Sequence, residues 1–463
     1  MYAPPRSTLP RTATAPARGV SRSSGSGAGE GTAVALGSEV EIVLMLRPEP
    51  GANALPQSIA MRFSALLPTR NRLQYLRFAV ESVLRQDDPD WELVVSDNDS
   101  EDDIAGYVAS LGDDRVRYVR TDSFVPVTEN WNNALRHSTG DYVVMLGDDD
   151  ALLPGYFSAM RRHVERFEAP DAVYTSAMLY AYPGVDPAAP RGYLQPYGYA
   201  SFLRGAREPF VLDPVVARHA VRQAMDFRVR YGFNMQFALV SRRLADRIAG
   251  DGDGDGEFFR SPFPDYFAMN MVMLRAAPLV VDPEPRVVIG VTPRSYGFFH
   301  ANQLEGEARS FLEGAPAARR AETDGLLPGT NINNGWLRAM EAVSRAAGDP
   351  ELRPNRRRYR MLQALYVYEH HHFGSITQAQ FDDLRDRLNR RERLLYDAAF
   401  AVAAAVARVL PAGARRVARH AFALAQRQTP YWRPGRDPGE YADMREVLDR
   451  FAEAPPPAVP ASA

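Results

Sequence analysis

Three adjacent carboxylates, Asp148-Asp149-Asp150, follow the apolar run that ends at Leu146. At the end of a buried strand such groups repel one another unless a cation neutralises them. An all-oxygen set suits Mg²⁺ or Mn²⁺ better than Zn²⁺, and such an ion keeps positions open for water and phosphate. The plainer alternative is a solvated acidic turn capping the next helix. Two more polar clusters also follow apolar runs: Pro68-Thr69-Arg70-Asn71-Arg72, and Ser96-Asp97-Asn98-Asp99-Ser100-Glu101-Asp102. In an open α/β sheet, ligands bind at the carboxyl ends of the strands, where all three clusters would lie. Asp265 opens a later helical stretch, and taken alone it reads as a helix N-cap.

What the chain lacks narrows the chemistry further. Its 463 residues include no cysteine and no lysine, so all 55 strong cations are arginines. That removes disulfides, thiolate nucleophiles and Cys-type zinc sites. It also removes Schiff-base chemistry and the P-loop lysine. A net charge of −2 gives no global sign of nucleic-acid binding. No GxGxxG follows the first strand, which disfavours a dinucleotide turn.

The elements that would position these residues alternate from Met61 onward. Strands are expected over Arg62 to Leu67, Trp91 to Ser96, Val116 to Arg120, Asp141 to Leu146 and Ala172 to Tyr180. Helices are expected over Arg72 to Gln86, Asp102 to Leu111 and Glu129 to His137, with another beginning at Pro154. This is a βαβ series and implies a mostly parallel sheet. Residues 181–230 have no clear period and read as a long loop with short helices. A strand over Phe233 to Ser241, a helix over Asp265 to Arg275 and a strand over Arg286 to Val291 complete the domain. Residues 1–60 read as a disordered extension, 301–454 as a helical C-terminal region and 455–463 as a disordered tail. The apolar run Ala398 to Ala407 is too short and alanine-rich to span a bilayer, but the arginines after it suit a membrane surface.

Several conspicuous groups carry no site. Asp251 to Gly256 begins like a calcium loop, but its twelfth position is Pro262. His370, His371 and His372 are consecutive and cannot converge on one ion from a helix. Trp131 and Trp336 read as packing residues.

The stretches LLPTRNRLQYLRFAVESVLRQ, ELVVSDNDSED and NWNNALRHSTGDYVVMLGDDD occur in that order. Over residues 61–300 the chain thereby resembles a family 2 glycosyltransferase, an α/β protein of the GT-A fold. The resemblance implies that Pro68, Thr69 and Asn71 line the nucleotide and that Asp97 bonds the base, typically uracil. Asn98 and Asp99 stand where the family often has aspartate and glycine, and Arg70 where it has a tyrosine-like residue. Asn132 matches an asparagine on the helix before the fourth strand. Gly147 stands at the usual first aspartate of the DxD motif. That leaves Asp148 for the nucleotide and Asp148, Asp149 and Asp150 as metal candidates, Asp149 foremost, with His300 as a further ligand. Pro264-Asp265-Tyr266 resembles the family's ED segment, which implies Asp265 as the catalytic base of an inverting enzyme. The implied function is metal-dependent transfer, with Mn²⁺ or Mg²⁺, from a nucleotide sugar, with a UDP-sugar the expected donor. The acceptor would be a carbohydrate, a lipid-linked sugar or a small molecule, in polysaccharide, glycolipid or secondary-metabolite synthesis. The place would be the cytoplasm, at the inner face of the cell membrane if the C-terminal helices touch it. The alternatives are a non-catalytic nucleotide-sugar-binding module and a carboxylate-pair glycosidase.

Overall fold

A computed structural model describes residues 61–186, 189–197, 200–203, 205–251, 256–295, 325–329, 331–372, 376–409 and 441–453. The expectations for residues 1–60, His300 and the 455–463 tail lie outside these.

Strand β1 (Phe63–Thr69) is buried along its whole length, as a strand covered on both faces must be. It pairs in parallel with β2 (Trp91–Asp97) and β4 (Tyr142–Met145), and β2 pairs in parallel with β3 (Val116–Arg120). The connecting helices α1 (Leu73–Leu84), α2 (Ile104–Leu111) and α3 (Val127–Arg136) supply the βαβ crossovers. Their observed bounds fall within two residues of those expected.

The other half of the sheet is mixed. After β5 (Ala151–Leu152) and α4 (Tyr156–Arg166) the chain enters β6 (Ala172–Ala181). The long β10 (Leu279–Val291) lies parallel to β6, while β9 (Ala238–Ser241) joins β6 to β4 with antiparallel pairing on both sides. The strand order is β3-β2-β1-β4-β9-β6-β10-β5, with β7 (Tyr193–Pro196) on β6 and β8 (Phe210–Val211) on β10. Most paired residues lie in parallel ladders, so this is the α/β, GT-A arrangement that the resemblance implies.

Two segments differ from their sequence reading. Residues 181–230 contain β7, β8 and a twelve-residue helix, α5 (Pro214–Met225), capped by Asp213 with proline in its first turn. Its buried face is largely alanine (Ala217, Ala220, Ala224), which makes a weak hydrophobic period. Of the strand expected over Phe233 to Ser241, only Ala238–Ser241 is extended. Met235–Phe237 is a 3₁₀ turn that brings Gln236 under the acidic cluster.

Helices α6 (Arg242–Ala249) and α7 (Pro264–Arg275) follow β9. Among the described residues beyond 300, the elements are the helices α8 (Asn331–Ala347), α9 (Arg356–His372), α10 (Gln378–Arg387), α11 (Arg390–Val409) and α12 (Met444–Glu453). It is not cored apart from the sheet: Trp336, Leu337, Met340 and Val343 of α8 share one hydrophobic core with Phe263 and Tyr266 of α7. Trp336 also donates its indole N–H to the Ala224 carbonyl at 2.9 Å, which confirms it as a packing residue. A second, smaller core joins Met444, Val447, Leu448 and Phe451 of α12 to β6 and β10.

Candidate active site

The exits of β1, β2 and β4 converge because the strands are in register. Thr69 lies beside Asp97, and Leu66 beside Met145. The Asn98 N–H donates to the Thr69 carbonyl at 2.9 Å, and the Leu146 N–H to the Leu66 carbonyl at 2.8 Å. These bonds fix the start of each polar loop. Beyond them opens a cavity of about 250 Å³ lined by Pro68, Thr69, Asp148, Asp149, Asp265 and their neighbours.

The three aspartates have three different surroundings. Asp148 accepts from the Thr69 hydroxyl at 2.8 Å and from Arg72 Nη1 at 2.8 Å. Asp149 accepts through Oδ2 from Arg72 Nη2 at 2.7 Å and from the Ser295 hydroxyl at 2.5 Å. Asp150 also lines the cavity, but both its oxygens are engaged by the protein. It accepts from the Gly290 N–H at 2.8 Å, the Gly147 N–H at 2.9 Å and the Gln236 amide at 2.6 Å. Burial pushes the Asp148 and Asp150 carboxyls well above the usual range, and the neighbouring Asp149 adds to both. The Gly147 N–H packs closely enough on Asp150 that a Cβ at 147 would lie 2.5 Å from Asp150 Oδ2. Glycine therefore stands at 147 because Asp150 fills the space.

Five of the six carboxylate oxygens thus accept from protein donors, leaving Asp149 Oδ1. Among the described residues no three acidic or histidine groups converge as a metal cage. Asp150 lines the cavity too, but both its oxygens accept from Gly290, Gly147 and Gln236, so Asp149 offers the more open oxygen to an ion. What remains fits an ion that takes its other ligands from a diphosphate and water, the habit of Mg²⁺.

Asp265 stands in the first turn of α7 and faces the same cavity. Burial pushes its carboxyl up to about 7, and the Tyr266 N–H, donating to it at 3.0 Å, pulls only partly the other way. A proton acceptor tuned near neutrality is what general-base catalysis requires. The wall around it is aromatic, with Phe263 stacked on Tyr266 at 4.6 Å and Phe233 edge-on to Tyr266 at 4.9 Å.

The remaining sequence-derived residues divide. Pro68 and Thr69 line the cavity. Asn98 lines it too, but its amide both donates to the Val125 carbonyl, at 2.8 Å, and accepts from the Val125 N–H, at 2.9 Å. Asp97 is fully buried and accepts from the Ser100 N–H, the Tyr118 hydroxyl and Arg120. Asp99 adopts a left-handed φ of 51°, which explains why glycine is common there and why aspartate is tolerated. Asn71 accepts from the Glu101 N–H at 2.7 Å and clasps the two loops together. Arg70 lies over the Phe124 ring at 4.1 Å at the cavity wall.

Asn132 is outside the cavity lining. Its amide pairs with both backbone groups of Phe259, at 2.8 and 3.1 Å, and so fixes the segment leading to Asp265. Asn132→Ala would strand a buried N–H and carbonyl at a cost of about 2 kcal/mol. Urea unfolding should show that loss while the affinity for UDP stays within twofold. A tenfold weaker affinity would return Asn132 to the nucleotide.

Sequence reasoning missed Arg72, Gln236, Thr292 and Ser295. The first was within reach: three carboxylates need a cation, the chain has no lysine, and Arg72 stands at the exit of the adjacent strand. The other three come from distant segments with no local signal.

Residues 64–225 match the sequence profile of Glycosyl transferase family 2. A GalNAc(5)-diNAcBac-PP-undecaprenol beta-1,3-glucosyltransferase of Campylobacter jejuni is 37% identical over 102 residues, 21% of this chain and 33% of that one. The putative colanic acid biosynthesis glycosyl transferase WcaA of Escherichia coli is 32% identical over 120 residues, 26% of this chain and 41% of that one. The chain thus spans between 33% and 41% of the length of these two curated relatives. Among solved structures, S. aureus TarS 1-349 in complex with UDP-GlcNAc is similar with a TM-score of 0.39 and 14% identity, covering 70% of this chain and 90% of that one.

Proposed function

We propose, for a chain whose residues 64–225 match the family 2 glycosyl transferase profile, an enzyme that moves a sugar from a nucleoside diphosphate to an acceptor hydroxyl. The observation that carries this reading is Asp265, with its carboxyl near 7, in one cavity with Thr69 and Asp148 at the strand exits.

The ionised Asp265 takes the proton of the acceptor hydroxyl as that oxygen bonds to the anomeric carbon. The bond from that carbon to the diphosphate breaks, and the nucleoside diphosphate leaves. A single displacement inverts the anomeric configuration. Mn²⁺ or Mg²⁺, held through Asp149, would neutralise the leaving diphosphate. Thr69 and Asp148 form the wall along which the donor lies, and the aromatic side chains around Asp265 keep water from the attacking position.

UDP-sugar is the donor we favour, with a lipid-linked sugar as acceptor. The activities of relatives support this, among them the UDP-Glc:alpha-D-GlcNAc-diphosphoundecaprenol beta-1,3-glucosyltransferase WfgD of Escherichia coli, 29% identical over 87 residues, 19% of this chain and 34% of that one. No described helix is long and apolar enough to cross a membrane. Contact with a lipid surface is supported by α11, where Leu394 and Leu395 are 62% and 64% exposed beside Arg390, Arg391 and Arg393.

Calorimetry with UDP and Mn²⁺, followed by a UDP-release assay over a panel of UDP-sugars, tests the proposal. Binding with donor-specific release is expected. Binding without release under any acceptor would leave a binding module, and no binding would remove the donor reading. Activity that survives EDTA without any nucleotide donor would point to a glycosidase.

A further inference from the structure

The Asp148–Asp149 pair already contains a cation. We infer that Arg72 is its resident counter-ion, so that a divalent ion enters this site only together with the diphosphate it accompanies. The inference rests on the reading of this cavity as the donor site, and it goes further in fixing the order of occupation.

Arg72 is the last residue before α1, at the exit of β1. Its two terminal nitrogens reach one aspartate each, Nη1 to Asp148 at 2.8 Å and Nη2 to Asp149 at 2.7 Å. Nη2 also donates to the Thr292 hydroxyl at 2.8 Å, and the ring of Tyr75 lies 5.3 Å from the guanidinium. Arg72 is 9% exposed. A planar fork gives each carboxylate its own nitrogen in a fixed geometry, whereas an ammonium would have to meet both from a single atom. Displacing it would leave a buried guanidinium unpaired, a strongly unfavourable state.

A bare ion meets only one open carboxylate oxygen, Asp149 Oδ1, which is too little for a hard cation to exchange its water for. A bare diphosphate meets the Asp148–Asp149 pair with Arg72 already engaged by it, and Arg70 at the wall as the other cation of the lining. Brought together, the ion supplies charge to Asp149 and the diphosphate supplies a new anionic partner for Arg72. Each ligand thus removes the obstacle to the other, which is positive coupling between them.

The test is Mn²⁺ binding followed by electron paramagnetic resonance, with and without UDP. For the wild-type protein we expect no binding of Mn²⁺ alone at 1 mM, roughly a hundredfold above the concentration that saturates it with UDP present, equivalent to a coupling within the usual allosteric range. Arg72→Gln should bind Mn²⁺ alone at least about tenfold more tightly than wild type, because Asp148 Oδ1 joins Asp149 Oδ1 as an open oxygen and the local positive charge is gone. Arg72→Lys, which keeps the charge without the fork, should lie between. Circular dichroism and thermal unfolding establish that each variant is folded. Equal Mn²⁺ affinity in wild type and Arg72→Gln overturns the inference, as does failure of both to bind the ion alone. Failure of the wild type to bind UDP in the presence of Mn²⁺ instead removes the donor reading, which the comparison of Mn²⁺ alone does not need.

Discussion

Asp265→Asn should lower turnover by about 10²- to 10⁴-fold, the usual contribution of a positioned general base. Asparagine keeps the shape and the contact with the Tyr266 N–H but cannot take a proton. UDP affinity should therefore stay within twofold of wild type, and calorimetry beside a UDP-release assay separates the two effects. The wild-type profile adds a second check. Because burial raises the carboxyl to about 7, kcat/KM should be full above that pH and fall as pH drops through it. The stability effect has the opposite direction. The folded protein holds a proton that the unfolded chain releases, so stability is lost as pH rises from the usual carboxylate range through about 7. Asparagine escapes that loss, and Asp265→Asn should be the more stable protein at pH 8, by on the order of 2 kcal/mol. Unchanged turnover would remove Asp265 from its role; a lost pH dependence of stability with turnover intact would leave it a strained but non-catalytic carboxyl.

Gly290→Ala should damage the fold more than any other single methyl group added near the site. A Cβ there would lie 1.7 Å from the Asp149 carbonyl oxygen and 2.6 Å from its carbon. Both are backbone atoms, so no side-chain rotation relieves the clash. Either β10 or the 147–150 turn must move, and the bond from the Gly290 N–H to Asp150 at 2.8 Å must then stretch. Overpacking of this kind typically costs 1–3 kcal/mol, and here we expect about 3 kcal/mol together with loss of a buried hydrogen bond. Urea unfolding should show the change in midpoint. The turn also carries Asp148 and Asp149, so UDP affinity should fall by at least about tenfold, which corresponds to 1.4 kcal/mol. A variant of normal stability would mean that the strand and the turn are not held as closely as 1.7 Å implies.

The sequence exposed the parallel half of the sheet because each strand there is buried on both faces and ends in a polar loop. The positions of Thr69, the acidic cluster and Asp265 were legible for the same reason. The partners of the acidic cluster were not. Gln236 and Ser295 lie 86 and 146 residues from the aspartates they bond, and contacts of that separation leave no local period. Nor could a sequence pattern separate Asp150, whose two oxygens are taken by Gly147, Gly290 and Gln236, from the adjacent Asp149, which keeps Oδ1 open. The partner of Asn132 was hidden for a related reason: an asparagine on a helix can address a ligand or a neighbouring backbone, and its pairing with Phe259 spans 127 residues. The alanine-faced α5 shows the limit of hydrophobic periodicity itself.

The tight fit between Gly147 and Asp150 constrains how such a site can change over descent. A side chain at 147 collides with Asp150 at 2.5 Å, and loss of Asp150 leaves the N–H groups of Gly147 and Gly290 unanswered. A chain of this kind meets a barrier to an aspartate at 147 as a first step, because the Asp150 carboxyl must leave its three donors to make room. The second position has to yield beforehand, or both together. Among descendants the two positions should therefore be inherited as a unit, and a swap at one of them becomes acceptable or ruinous according to its companion.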